Sequence, residues 1–385
     1  MNRFLEFLRY CLDDGEPLPE TVSEIDWVEM MAWAEQQAIV GIIYRGIEKA
    51  DKAISMPFDV LMDWVGYANQ IELQNKKTTE VCRVLCEDWD KDGFKCCILK
   101  GQSNYAYYPQ GMRNRRSCGD VDIWVVPKDK EEKHPVKCVL DHLEEKRMME
   151  SLCYLHAEVQ PRMDVPIEVH LRPSFLNEPR HNHRLMEVLG NMDQCSCLKE
   201  IEGVTLPVMK REYDLIFQMC HVYRHLLDEG VGLRQVIDYY YLLKSQPDTQ
   251  KYTDNRGIAT LESPVGDDVT AILKRLGMWR FAGALMWVLK DLFGLEDKYL
   301  LCKPLEKDGR FLLSEMMMAG NFGQSDPRMA QLKVEKGKTS YQIKRTWRRV
   351  KRNMHFVMSY PSEVVWEPVA RFWHFCWRKF RLWRL

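Results

Sequence analysis

The apolar positions of this chain change period twice. Up to about residue 93 they recur at helical steps. Trp27, Met31, Trp33, Ala34, Ile39, Ile42 and Ile43 predict one helix from Ile25 to Lys49, with Ser23 before it as a cap. A second helical run, Phe58 to Trp89, is stopped by Asp92-Gly93. From Phe94 the period shortens. Cys96-Cys97-Ile98-Leu99 predicts a buried strand broken at Gly101, followed by a short helix, Ser103 to Tyr108, closed by Pro109. Ile123-Trp124-Val125-Val126 predicts a second strand, and a helix is expected over Lys128–Ser151. Leu152–Gln160 and the alternating Val165–Leu171 form a hairpin about Pro161–Asp164. Strand, helix, strand, helix and hairpin predict a small mixed sheet with helices on one side. After Pro173 helical spacing returns over 212–227, 233–243, 269–276 and 279–292. Ser245–Asp268 and Gly320–Lys338 lack periodic apolar positions and read as long loops. The fold class is therefore α+β. An N-terminal helical region, 1–93, precedes a mixed core, 94–175, a C-terminal helical domain, 176–343, and a tail, 344–385.

Composition changes this picture only at the tail. The chain has 385 residues, with 55 basic against 56 acidic, which gives no overall pull toward nucleic acid. From Lys344 onward, eleven Lys and Arg stand against Glu363 and Glu367, so the tail carries +9 and the rest −10. Thirteen scattered cysteines without metal-ligand spacing suit a reducing, cytoplasmic setting. The first residues are interrupted by charge, unlike a signal peptide, and no apolar run is long enough to span a membrane.

The candidate chemistry gathers at the second strand. Asp120 and Asp122 lie one residue apart, and residues i and i+2 of a strand share a face. Two like charges that close repel, which a cation between them relieves; Mg²⁺, with oxygen ligands, is the simplest choice. A solvent-facing turn is the plain alternative. Glu168 and His170 share a face of the later strand, and pairing beside the Asp-x-Asp strand would bring Glu168 to the metal. Gly101 at a strand-to-helix turn would let backbone approach a phosphate, while Ser103 could cap the helix or touch the ligand. Arg113, Arg115 and Arg116 are cations available to a polyphosphate. His221 and His225, four apart on a helix, could chelate a metal or simply pack in a core. Arg234 could reach a triphosphate or pair with Asp238.

Leu99-Lys100-Gly101-x-Ser103, Arg116 before Asp120-x-Asp122, and Ile167-Glu168-Val169-His170 together resemble the nucleotidyltransferase superfamily of the DNA polymerase β type. More closely, they resemble its uncharacterised bacterial nucleotidyltransferase-like family, whose pattern His221-x-x-x-His225, Gly232-Leu233-Arg234 and Asp238 also fit. The superfamily's Gly-Gly or Gly-Ser turn is here Gly101-Gln102-Ser103. The resemblance implies a nucleotidyltransferase core and transfer of a nucleoside monophosphate from an NTP to an acceptor hydroxyl. Asp120, Asp122 and Glu168 would hold Mg²⁺ or Mn²⁺, Glu168 would help deprotonate the acceptor, and Lys100, Gly101, Ser103, Arg116 and Arg234 would hold the triphosphate. The acceptor stays open between a small molecule, an RNA 3′ end and a protein side chain. A nucleotide-binding or scaffold protein without turnover is the second reading.

The tail offers a separate function. Trp366, Val369, Trp373, Cys376, Trp377, Phe380 and Trp383 fall at steps of three and four, giving one helical stripe beside basic residues. Such a helix, over 363–385, suits an anionic membrane, which would make the protein peripheral at the inner membrane surface. Packing on the acidic body of the protein and binding to nucleic acid are the alternatives.

Overall fold

The computed structural model describes residues 2–245, 252–253, 259–260, 269–323, 326–328 and 339–384. Most of the two loops expected at 245–268 and 320–338 lies outside these residues. At its centre is a seven-stranded mixed sheet in the order β3-β4-β5-β2-β1-β7-β6. The strands are β1 (Phe94–Ile98), β2 (Val121–Pro127), β3 (Met149–Leu152), β4 (His156–Arg162), β5 (Val165–His170), β6 (Ser196–Ile201) and β7 (Val204–Met209). Alternation along β2 explains how the sheet is covered. Val121, Ile123 and Val125 point to one face, where Val81, Leu85 and Trp89 of the long helix Phe58–Lys91 and Leu140 and Leu143 of the helix Pro135–Glu145 bury them. Trp124 points to the other face, with Cys97 and Leu99, into the large helical core. Helices thus cover both faces of the sheet, not one.

The β6–β7 hairpin extends the sheet beyond the expected boundary at 175. Its two-residue turn, Glu202-Gly203, has φ of +50° and +78°, the signature of the primed turns that match strand twist. Other boundaries shift for local reasons. The expected helix Ile25–Lys49 is two helices, Trp27–Gln36 and Val40–Ala50, broken where Ala38 takes φ +56°. Its cap is Asp26, whose Oδ1 accepts from the amides of Val28 and Glu29, not Ser23. The helix expected over 128–151 spans only Pro135–Glu145, because proline fixes its start and β3 claims its end.

The C-terminal helices Arg211–Asp228, Leu233–Lys244, Val269–Arg275 and Trp279–Phe293 form close to where their spacing placed them. The tail forms two helices, Thr339–Met354 and Pro361–Lys379. The stripe expected along the second one divides. Trp377 and Trp383 turn inward and pack at a tilt, ring centres 4.8 Å apart, against the sheet's hydrophobic cluster, whereas Trp366, Val369, Trp373 and Phe380 remain exposed. All thirteen cysteines are free. Among the described residues no helix is long and apolar enough to cross a membrane.

Candidate active site

The register of the sheet assembles the acidic centre. β2 pairs parallel with β5, setting Asp122 beside Glu168, and β5 pairs antiparallel with β4, setting His170 opposite His156. Carboxylate oxygens of Asp120, Asp122 and Glu168 come within 4.8 Å of one another. Three hard oxygen donors so close fit a divalent cation such as Mg²⁺ or Mn²⁺. Lys100, leaving β1, lies between them. Its Nζ is 3.0 Å from Asp122 Oδ2 and 4.0 Å from Asp120 Oδ2. Burial alone would lower the lysine's pKa, but Asp120, Asp122 and Glu168 overcome it and hold the ammonium above its ordinary value.

The two histidines complete the charge balance. His170 Nε2 is 3.0 Å from Asp122 Oδ1 and 3.5 Å from Glu168 Oε2, and His156 Nδ1 is 3.0 Å from the same Glu168 oxygen. Burial opposes ionisation of Glu168, yet His170, His156 and Lys100 push its pKa down to about 2. His170 is likewise raised against its burial by Asp122 and Glu168. His156, Glu168 and His170 also form a mixed nitrogen–oxygen cluster that could hold a metal. His156 was not singled out in the sequence. The hairpin register about residues 161–164 was the signal that could have found it.

Beside the carboxylates lies a narrow recess of about 30 Å³, lined by Lys100, Gly101, Asn104, Asp120, His221 and Arg234 among others. That volume holds a couple of waters or the oxygens of one phosphate, so a nucleoside would lie outside it. Gly101 has φ +70°, which a glycine adopts freely, and a Cβ there would meet only Asp120 O at an ordinary 3.5 Å. Conformation, not crowding, calls for glycine. Ser103 sits elsewhere than expected. The 3₁₀ helix Gly101–Ala106 starts two residues before it, so Ser103 caps nothing, and its buried Oγ has no hydrogen-bond partner. It does not line the recess. Arg116 does, but its Nε and Nη2 bind Asp238 at 2.6 and 2.7 Å, and Tyr108 donates to the same carboxylate. Arg234 also borders the recess, and its Nη1 donates to Ser117 O at 3.1 Å.

Side chains unnoticed in the sequence tie these walls together. Gln102 donates to Asn75 O and Thr79 Oγ1 of the long helix and accepts from Cys118 Sγ. Asn75 in turn donates to the carbonyls of Asn114 and Arg116. Gln218 bridges Asn104 and Asp214, whose carboxyl is pushed up to about 7 by burial. His221 and His225 meet edge to face, ring centres 4.3 Å apart, and no group of three metal-ligating side chains among the described residues includes them. Burial, with the like charge of Lys100, depresses both, His225 to about 3.

On the His156 side of Glu168 is a larger cavity of about 430 Å³, lined by Tyr154, His156, Phe175, Arg224, Arg371 and Arg378 among others. Arg224 and Arg371 face Asp228 at 3.9 and 2.6 Å, and Arg371 also binds Glu367. Burial and the neighbouring arginines Arg172, Arg224 and Arg371 lower the cavity's His374 to about 3.

The family model described as "uncharacterised nucleotidyltransferase" matches residues 23–294, more than half of the chain, and the protein belongs to that family. Among solved structures, the chain is similar to an antigenic nucleotidyltransferase-like protein from Paracoccidioides brasiliensis. That likeness has 13% identity over 60% of this chain and 95% of the other, at a TM-score of 0.32. No curated protein matches.

Proposed function

We propose that the protein transfers a nucleoside monophosphate from an NTP to an acceptor hydroxyl and releases pyrophosphate. The observation that carries this is the approach of the Asp120, Asp122 and Glu168 carboxylates to within 4.8 Å, beside the Gly101 turn, in a chain of this family. Asp120 and Asp122 would hold two divalent ions, with Glu168 completing one site, and these supply positive charge for an in-line displacement. Lys100, Gly101 and Arg234 border the recess that suits a phosphate, and Arg116 shapes it through Asp238. The acceptor oxygen attacks the α-phosphorus, and the bond to the bridging oxygen of pyrophosphate breaks. The acceptor's proton leaves toward Glu168. His156 and His170, 3.0 and 3.5 Å from its Oε2, orient that carboxylate. The arginine-lined cavity beyond His156 is the natural seat of the acceptor, and its charge suits an anionic one.

A specific observation favours a second reading, nucleotide binding without turnover. The Lys100 ammonium already stands 3.0 Å from Asp122, in the place of a cation. Incubation of lysate with each α-phosphate-labelled NTP and Mg²⁺ or Mn²⁺ separates the two. Transfer of label to any fraction by the wild type, lost in Asp120→Asn, supports catalysis. Tight Mn²⁺-NTP binding without label supports the second reading. Unchanged binding in an Asp120→Asn/Asp122→Asn double variant overturns both.

A further inference from the structure

The inward face of the tail helix Pro361–Lys379 accounts for its two acids. Glu363, 1% exposed, accepts from the Asn177 amide at 2.6 Å and faces His181 at 3.1 Å. Glu367, 2% exposed, binds Arg371, which reaches across to Asp228. The outward face is consequently free of negative charge. Along it Val365, Trp366, Val369, Phe372 and Trp373 form one stripe, with Phe372 68% and Trp373 52% exposed. Phe380 prolongs it just past the helix, and Met358 adds to it from the preceding turn. Lys379 and Arg381 are exposed at its C-terminal end, Arg381 at 3.7 Å from Glu144, while Arg378 lines the arginine-rich cavity. A contiguous aromatic and aliphatic face of this size marks an interaction surface.

We infer that this face docks the protein on an anionic lipid bilayer, with the helix lying in the interfacial plane. Trp and Phe are the side chains that settle at headgroup level, and a basic cluster adjoining them adds attraction to acidic lipids. Charge complementarity chooses the occupant. A second copy would set the same +9 tail against itself, which opposes a symmetric contact. A nucleic acid would need cations interleaved with the rings. Here Arg371 is turned inward onto Asp228 and Glu367, and the valines offer nothing to stack on.

Flotation with vesicles of phosphatidylcholine alone or mixed with phosphatidylserine tests this, comparing the full chain with Val369→Ser/Phe372→Ser/Trp373→Ser. The three side chains are exposed, so the variant should keep the wild-type melting temperature, measured alongside. The expected result is flotation of the wild type with phosphatidylserine, weakened by salt, and a fall of roughly tenfold or more in the variant. A wild type that does not float overturns the inference. So does a variant that floats equally well, or a wild-type dimer in sedimentation that the substitutions dissociate. Single-stranded RNA binding lost in the variant, without flotation, assigns the face to nucleic acid and also overturns it. A variant with a lowered melting temperature is replaced by Phe372→Ser alone, read by the same criteria.

Discussion

His170 and the pair His221–His225 titrate in opposite directions. His170 faces Asp122 and Glu168 and is raised; His221 and His225 face the Lys100 ammonium and are depressed, His225 to about 3. Residue type and burial are similar. The sign of the nearest charge differs, and it decides which of them can carry a proton near neutral pH. A histidine beside carboxylates can serve an acidic centre, whereas one set edge-on to another histidine near a lysine serves packing.

The largest effect should come from removing the charge that sets His170 apart. Asp122 is fully buried against both Lys100 and His170. Asp122→Asn should abolish divalent-dependent NTP binding in calorimetry and also destabilise the protein by about 3 kcal/mol, because it strands two buried cations. Asp120, at 36% side-chain exposure and 4.0 Å from Lys100, should lose binding as Asn with little change in thermal stability. Relief of carboxylate repulsion, expected from the sequence for both, applies only where no buried lysine already neutralises the charge. Equal melting temperatures for the two variants would refute this division.

Next in size, Glu168→Gln should keep nucleotide affinity within several-fold while turnover falls on the order of a hundredfold. Near-wild-type transfer rates in that variant would remove Glu168 from the chemistry.

The comparison itself is sharpened by pH. The folded pKa of His170 lies above its unfolded value, so its contribution to stability is complete below the unfolded value, near 6.5, and is lost as pH rises through the folded one. His225 lies below, so its contribution is present above about 6.5 and is lost as pH falls toward 3. Urea midpoints should therefore decline less steeply on the alkaline side in His170→Asn, and less steeply on the acid side in His225→Gln. Parallel curves for the two variants would show that neither neighbour sets the titration.

The smallest effect is expected at Ser103. Its buried hydroxyl has no partner, so Ser103→Ala should change stability by less than about 1 kcal/mol and leave NTP binding intact. A clear loss of affinity would restore Ser103 to the phosphate site.

The sequence made the acidic centre legible because strand alternation is local. Asp120-x-Asp122 and Glu168-x-His170 each announce a shared face, and the parallel β2–β5 register joins them. The anchoring of Arg116 was not legible, for the opposite reason. Its partner, Asp238, lies 122 residues away, and nothing in either neighbourhood reveals the pairing. The β6–β7 hairpin was missed although Glu202-Gly203 stands between alternating residues, because the surrounding helical runs dominate the pattern. The tail's stripe was visible, but its division was not. Which tryptophans turn inward depends on the sheet cluster that receives them.

One turn of the long helix Phe58–Lys91 has a mechanical consequence. Through Asn75 and Thr79 it grips Gln102, next to Gly101 of one wall of the recess, and the carbonyls of Asn114 and Arg116, the latter a residue of the other wall. Both walls therefore ride on a single rigid strut, and a displacement of that strut carries them together instead of prying them apart. The spacing of two side chains on one helix thereby helps to set the gauge of the phosphate-sized slot.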